Sequence, residues 1–273
     1  MLYKGSELIP LANRSKEKRP LPVHLLNDYL CGGLFEGLYV IGADPGMGKS
    51  MLCIQFGMET AMAGYKVLYM SAEMSGSIVG QRISTMYPEI PASILDNFLV
   101  VDDKSITSDY IIKLADELNP DLIIVDYLQF IAQPSNKRNQ MDMKDVVKCT
   151  LTALLTIIAS HNIPIIALSS LVKTSSAGTR GIGMHDFKDS SNIEYDADFL
   201  IALQYDGIRE GKTVRIKDVD NATYKKLEVI TLKDRHCKLK QSAKLFLDKQ
   251  HCIFISEEPI TEDILEDEIT VWE

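Results

Sequence analysis

The stretch YVIGADPGMGKSML, residues 39–52, decides the fold. An apolar run enters a glycine-bearing turn and leaves into residues with helical spacing, so a strand, a tight loop and a helix follow one another. Gly46 and Gly48 let backbone amides face an anion, Lys49 adds positive charge, and the Ser50 hydroxyl can ligate a divalent cation. The strict phosphate-loop pattern puts a glycine five residues before the Gly-Lys pair, where this chain has Ala43. Asp44, Pro45, Gly46, Met47, Gly48, Lys49, Ser50 and Met51 are therefore the candidate cradle for the phosphates of ATP, with Mg²⁺ as the cation.

The sequence on either side repeats the alternation. The runs YKVLYMSAE, NFLVVDD, DLIIVDYLQFI and IPIIALSSL read as strands, with helices over residues 50–64, 108–118 and 141–161. Near-continuous Ile, Val and Leu strands separated by helices predict a mostly parallel sheet covered on both faces. After Asp198 the pattern changes to FLIALQY, KKLEVITLKDR, AKLFLDK and CIFISEE, with no room for crossover helices, so antiparallel strands are expected at the C-terminal end. The fold class is α/β. Residues 1–22, basic and bracketed by prolines, read as an arm, residues 23–255 as one folded domain, and residues 256–273 as an acidic tail.

Bulk composition bounds the functions open to such a domain. At 273 residues and 46% hydrophobic content the chain can bury a large core. It has no apolar run of membrane-spanning length and no secretory leader pattern, so a soluble, cytoplasmic protein is expected. Five scattered cysteines form no zinc or disulfide pattern. The net charge of −9 argues against nucleic acid until its distribution is considered: residues 256–273 hold eight acids and no base, leaving −1 over residues 1–255.

Two carboxylates complete the candidate chemistry. Asp126 ends the run LIIVD, where a parallel strand delivers its last side chain to the crevice at the sheet's carboxyl edge, and it can hold the Mg²⁺ water shell. Glu73 ends the strand LYMSAE and can polarise a water for attack on a γ-phosphate. Lys233 and Arg235, two apart on a strand, share one face.

These motifs, GGLFEGLYVIGADPGMGKS, SAEM, DLIIVDYLQ, IPIIALSSL, DFKDSSNIEYDAD and LKDR, occur in one order over residues 31–235. Their spacing resembles the RecA-like ATPase core and, more closely, the C-terminal motor domain of DnaB-type replicative helicases. The resemblance implies a hexameric ring that hydrolyses ATP between subunits and moves on single-stranded DNA in replication. Primase, a helicase loader or a host helicase would be further partners. It makes Lys49 and Ser50 the phosphate and Mg²⁺ ligands, Asp126 the second metal-holding group and Glu73 the base. Lys233 and Arg235 match the pair whose arginine reaches the neighbouring subunit's ATP. Lys188, Asp189 and Ser191 match DNA-facing positions, and the small, polar stretch VKTSSAGTRGIGMH adds Lys173 and Arg180 to the expected DNA contacts.

Several residues depart from the family pattern. Ser170 stands where the family has a glutamine that reports the γ-phosphate to the DNA loop. Lys188 replaces an arginine and loses its bidentate fork. Ser191 replaces a glycine, and Asp44 replaces an arginine, as in the RadA and KaiC branches. The helix over 141–161 is poor in basic residues, and about 22 residues rather than a helical domain precede the motor. Two other readings therefore stay open: a non-unwinding, nucleotide-dependent partner or regulator of a replicative helicase, and a RadA- or KaiC-like ATPase.

Overall fold

A computed structural model describes residues 20–131, 142–172, 180–188, 190–212, 214 and 222–259. Among them, nine strands form one sheet: β1 Gly37–Ala43, β2 Val67–Ser71, β3 Phe98–Val101, β4 Leu122–Asp126, β5 Pro164–Ser170, β6 Phe199–Tyr205, β7 Tyr224–Asp234, β8 Ser242–Asp248 and β9 Ile253–Ile255. Their order is β3-β2-β4-β5-β1-β6-β7-β8-β9. The first six in that order run parallel, and β7, β8 and β9 are antiparallel. The helices are α1 Lys49–Met62, α2 Gly76–Met86, α3 Ala92–Leu95, α4 Ser108–Leu118, α5 Met143–His161 and α6 Ser190–Asp196.

Alternation along the strands fills two cores. In β1, Tyr39, Ile41 and Ala43 face the core shared with α1 and α2, while Leu38 and Val40 face the core shared with α4, α5 and α6. All seven residues of β1 are buried. Helix α4 starts where Thr107 Oγ1 accepts the Tyr110 N–H at 3.2 Å. It stops at Asn119, whose φ of 45° ends the helix in the left-handed conformation; Asn162, at φ 54°, does the same for α5. No helix among the described residues is long and apolar enough to cross a membrane.

Several features, among them the short helix α3, differ from the sequence reading. Helix α2 is absent from it, because Gly76 and Gly80 dilute the helical signal of Val79, Ile83 and Met86, which are buried along one face. Leu21, read as part of the arm, is buried and pairs with Leu34 through two backbone hydrogen bonds of 2.9 and 2.8 Å. Residues 1–19 and the tail from residue 260 lie outside the described residues, as do Lys173 and Asp189.

The last strand is fastened to the first long helix. Gln55, buried in α1, donates from Nε2 to the Phe254 carbonyl at 3.0 Å and accepts the Phe254 N–H at 2.8 Å. Its neighbour Glu59 accepts the Leu25 N–H at 3.0 Å, so α1 also holds the start of the domain. Replacing Gln55 by alanine leaves two buried backbone groups of Phe254 without these partners. Urea unfolding of Gln55→Ala should show a loss of about 2 kcal/mol or more, well beyond that of an exposed alanine substitution on the same helix.

Candidate active site

The loop after β1 owes its shape to two glycines. Gly46 has φ 77° and Gly48 φ 90°, both in the left-handed region. A Cβ on Gly48 would lie 2.9 Å from the Phe254 ring, so the C-terminal hairpin presses directly on the loop. Helix α1 begins at Lys49 without a side-chain cap, which leaves the first-turn amides available to an anion. Ala43, where the strict pattern has glycine, is a regular strand residue paired with Ser170 and Leu203 and has no positive φ. Alanine is therefore compatible with the loop.

The expected charged groups converge at this edge. Lys49 Nζ donates to the Ala43 carbonyl at 2.7 Å. Burial lowers its pKa, opposed by Asp126, Glu73 and Asp44. Asp126 is 1% exposed, accepts the Tyr69 hydroxyl at 2.6 Å and is hydrogen-bonded by the Ser50 side chain. Burial raises its pKa despite those donors and Lys49. Glu73, open to solvent on one side, is raised by burial and then by the Asp126 charge. Asp44 is raised by burial and pulled back by Lys49. Ser50 and Asp126 place a hydroxyl and a carboxylate side by side, a donor set that fits Mg²⁺, which takes few protein ligands and completes its shell with water and phosphate oxygens.

Three contributors were not anticipated from sequence. Tyr69 reaches Asp126 from the neighbouring strand. Lys225, at the start of β7, donates to the Gly46 carbonyl at 3.0 Å across 179 residues. Arg82, on the unforeseen helix α2, lies close enough to act electrostatically on Glu73 and Asp126. Each depends on register or on an element the sequence did not announce; only the helical spacing of Val79, Ile83 and Met86 could have signalled Arg82.

Of the expected DNA-facing residues, Lys188 sits beside Ser170. Lys188 is exposed, and its N–H donates to the Ser170 carbonyl at 3.0 Å. Phe187 is buried over Gly42, where a Cβ would come within 2.4 Å of its ring. Ser191 is exposed on the first turn of α6. Arg180 is held by both carboxylate oxygens of Asp186, one at 2.9 Å, so its charge is matched within the loop.

Lys233 and Arg235 occupy the opposite edge. Antiparallel β7 ends beside the start of β6, with Asp234 paired to Phe199. Lys233 donates to the carbonyls of Glu194 and Ala197, and Arg235 to the Tyr195 carbonyl and to Asp198 Oδ1 at 3.4 Å. Both therefore clasp the C-terminal end of α6, separated from the phosphate loop by the length of a seven-residue strand, about 20 Å.

A parallel sheet, a glycine-shaped loop after β1 and an acid closing β4 define a RecA-like P-loop nucleotide-binding fold. A separately solved ATPase domain superposes with a TM-score of 0.73 at 18% identity, covering 94% of this chain and all of that one. A DnaB-like replicative helicase, solved in a study of its interactions with primase, gives 0.73 at 17% identity over 94% of this chain and 68% of that one. The family model for the DnaB-like helicase C terminal domain matches residues 93–255, and an AAA domain model matches residues 11–169. The chain belongs to the DnaB-like helicase C-terminal domain family. Among curated relatives, DNA repair protein RadA of Chlamydia trachomatis is 31% identical over 49% of this chain and 29% of its own length. Replicative DNA helicase DnaB of Leifsonia xyli is 24% identical over 71% of this chain and 48% of its own. The matched region thus spans less than half of either relative.

The raised Asp126 pKa has a signed consequence. Between the ordinary value of 3.8 and the folded value, the folded chain binds more protons on this group than the unfolded chain does, so its contribution to stability falls as pH rises. Asp126→Asn removes that loss. Urea unfolding of nucleotide-free protein between about pH 4 and 7 should show the variant gaining on wild type as pH rises; a difference that stays flat would count against a buried, proton-retaining Asp126.

Proposed function

We propose that this chain is an ATP-hydrolysing, DnaB-like motor on single-stranded DNA, assembled as a hexameric ring and acting in DNA replication in the cytoplasm. The observation that carries this reading is the division of the site between two edges. The phosphate loop, Glu73 and Asp126 stand at one edge, and Lys233 and Arg235 at the other, so a complete site needs a second copy of the chain.

In this reading the amides after Gly46 and the Lys49 ammonium hold the β and γ phosphates. Ser50 and Asp126 are the residues that would hold Mg²⁺, which would supply positive charge at the phosphates. Glu73 accepts a proton from the attacking water, a role suited to a carboxylate whose pKa is already raised. Arg235 of the adjacent copy faces the transferring phosphate. Lys188 and Ser191, with Lys173 and Asp189, contact the DNA backbone. Primase, a loader or a host helicase are proposed as further partners.

A second reading, a nucleotide-dependent regulator of another helicase, is favoured by Ser170 in place of glutamine and by the matched charge of Arg180. A RadA-like role draws on the identity to RadA proteins. Steady-state ATPase measured at self-associating concentrations, with and without single-stranded DNA, separates these. Wild type should be DNA-stimulated and Lys49→Ala inactive. Arg235→Ala should lose about 10³-fold or more in rate. Mixing Lys49→Ala with Arg235→Ala should restore activity at interfaces that join an intact loop to an intact arginine. No DNA stimulation above the Lys49→Ala level ends the motor reading, and no restoration in the mixture leaves Arg235 as a clasp on α6 alone.

A further inference from the structure

Gln129 follows β4 by three residues, in the single turn of 3-10 helix Leu128–Phe130, and its side chain is buried at 6% exposure. Its amide nitrogen donates to Ser169 Oγ at 3.0 Å and to the Lys188 carbonyl at 3.4 Å. Its amide oxygen accepts the Ser170 N–H at 3.2 Å. All its hydrogen-bonding groups are thus engaged, with partners on two separate stretches of chain.

Those two stretches are already clipped together. Lys188 N–H donates to the Ser170 carbonyl at 3.0 Å, and Val172 N–H to the Asp186 carbonyl at 2.7 Å, with Leu171 and Phe187 as the paired residues between. Gln129 therefore holds a two-rung clip from inside. On its other side it is three residues from Asp126, which the Ser50 hydroxyl and Tyr69 contact directly. The Ser50 hydroxyl contacts Asp126, three residues of backbone join Asp126 to Gln129, and Gln129 contacts the backbone of Lys188.

We propose that Gln129 is the positioning residue that transmits nucleotide state to the DNA-facing segment 180–188, in place of a glutamine at position 170. The Ser170 side chain is too short to bridge that gap, whereas its backbone amide is already held by Gln129. A displacement of Asp126 on binding a nucleotide moves the turn that carries Gln129, and the three hydrogen bonds carry that displacement to the end of β5 and to Lys188. The coupling resides in these polar contacts. The inference rests on the motor reading for its consequence, DNA grip, but its mechanical content does not.

The test measures hydrogen exchange of the 180–188 backbone amides in the full chain with a non-hydrolysable ATP analogue and with ADP. Nucleotide affinity and thermal melting are determined for every variant. Wild type should show different protection in the two states. Gln129→Met keeps the side chain's length and volume but none of its hydrogen bonds, and should shrink that difference by about tenfold. Ser169→Ala, which removes one partner, should shrink it less. A folded, nucleotide-binding Gln129→Met with the wild-type difference overturns the proposal, as does wild type that binds nucleotide with no change in this segment. If Gln129→Met fails to fold, an unaltered response in Ser169→Ala overturns it. A Gln129-dependent response in a protein without DNA-stimulated ATPase sinks the motor reading and leaves the link standing. Absence of nucleotide binding by wild type defeats both.

Discussion

Strand direction governs this molecule. A parallel strand buried on both faces has only its ends for polar chemistry, and six parallel strands turn all their carboxyl ends to the same edge. The loop after β1, the acid closing β4, the acid after β2 and the serine closing β5 are neighbours for that reason and because β2, β4, β5 and β1 are consecutive in the sheet. β7 runs the other way and has to deliver its last residues to the far edge. The same geometry that gathers these groups therefore expels Lys233 and Arg235 from their company.

Charge at that edge is held at some expense. Asp126, Glu73 and Asp44 all have raised pKa values, burial being the first cause of each, and Lys49 is lowered for the same reason. Tyr69 and Ser50 offset part of this for Asp126 by donating hydrogen bonds to its carboxylate. Four titratable groups that favour neutrality more than their unfolded counterparts are poised to gain from a ligand carrying both negative phosphates and a cation. Binding there would supply the counter-charges the sheet edge lacks.

Much of this was legible in the sequence, and for a local reason. The strands announce themselves as apolar runs, α4 by its spacing, and the cradle by residues within ten positions of one another. What escaped notice depends on distance along the chain. Tyr69 reads as one apolar strand residue among several, and nothing near it signals that Asp126 lies one strand away. Lys225 reaches Gly46 only because β7 pairs in one register with β6 and β8. Gln129 belongs to a motif, yet its three partners lie 40 to 59 residues downstream. Helix α2 was hidden by glycines, and Leu21 by the prolines around it. Asp186 gives no hint in sequence of folding back on Arg180, six residues before it.

The packing of Phe254 against Gly48, with both backbone groups of Phe254 held by Gln55, also bears on how the chain matures. That hydrogen-bond pair closes a loop of 199 residues. A nascent chain emerging from its N-terminus carries the phosphate-loop residues early, but the surface that braces them arrives with the ninth strand. The brace on the loop is therefore among the last parts of the domain to be made, and a partly synthesised chain lacks it.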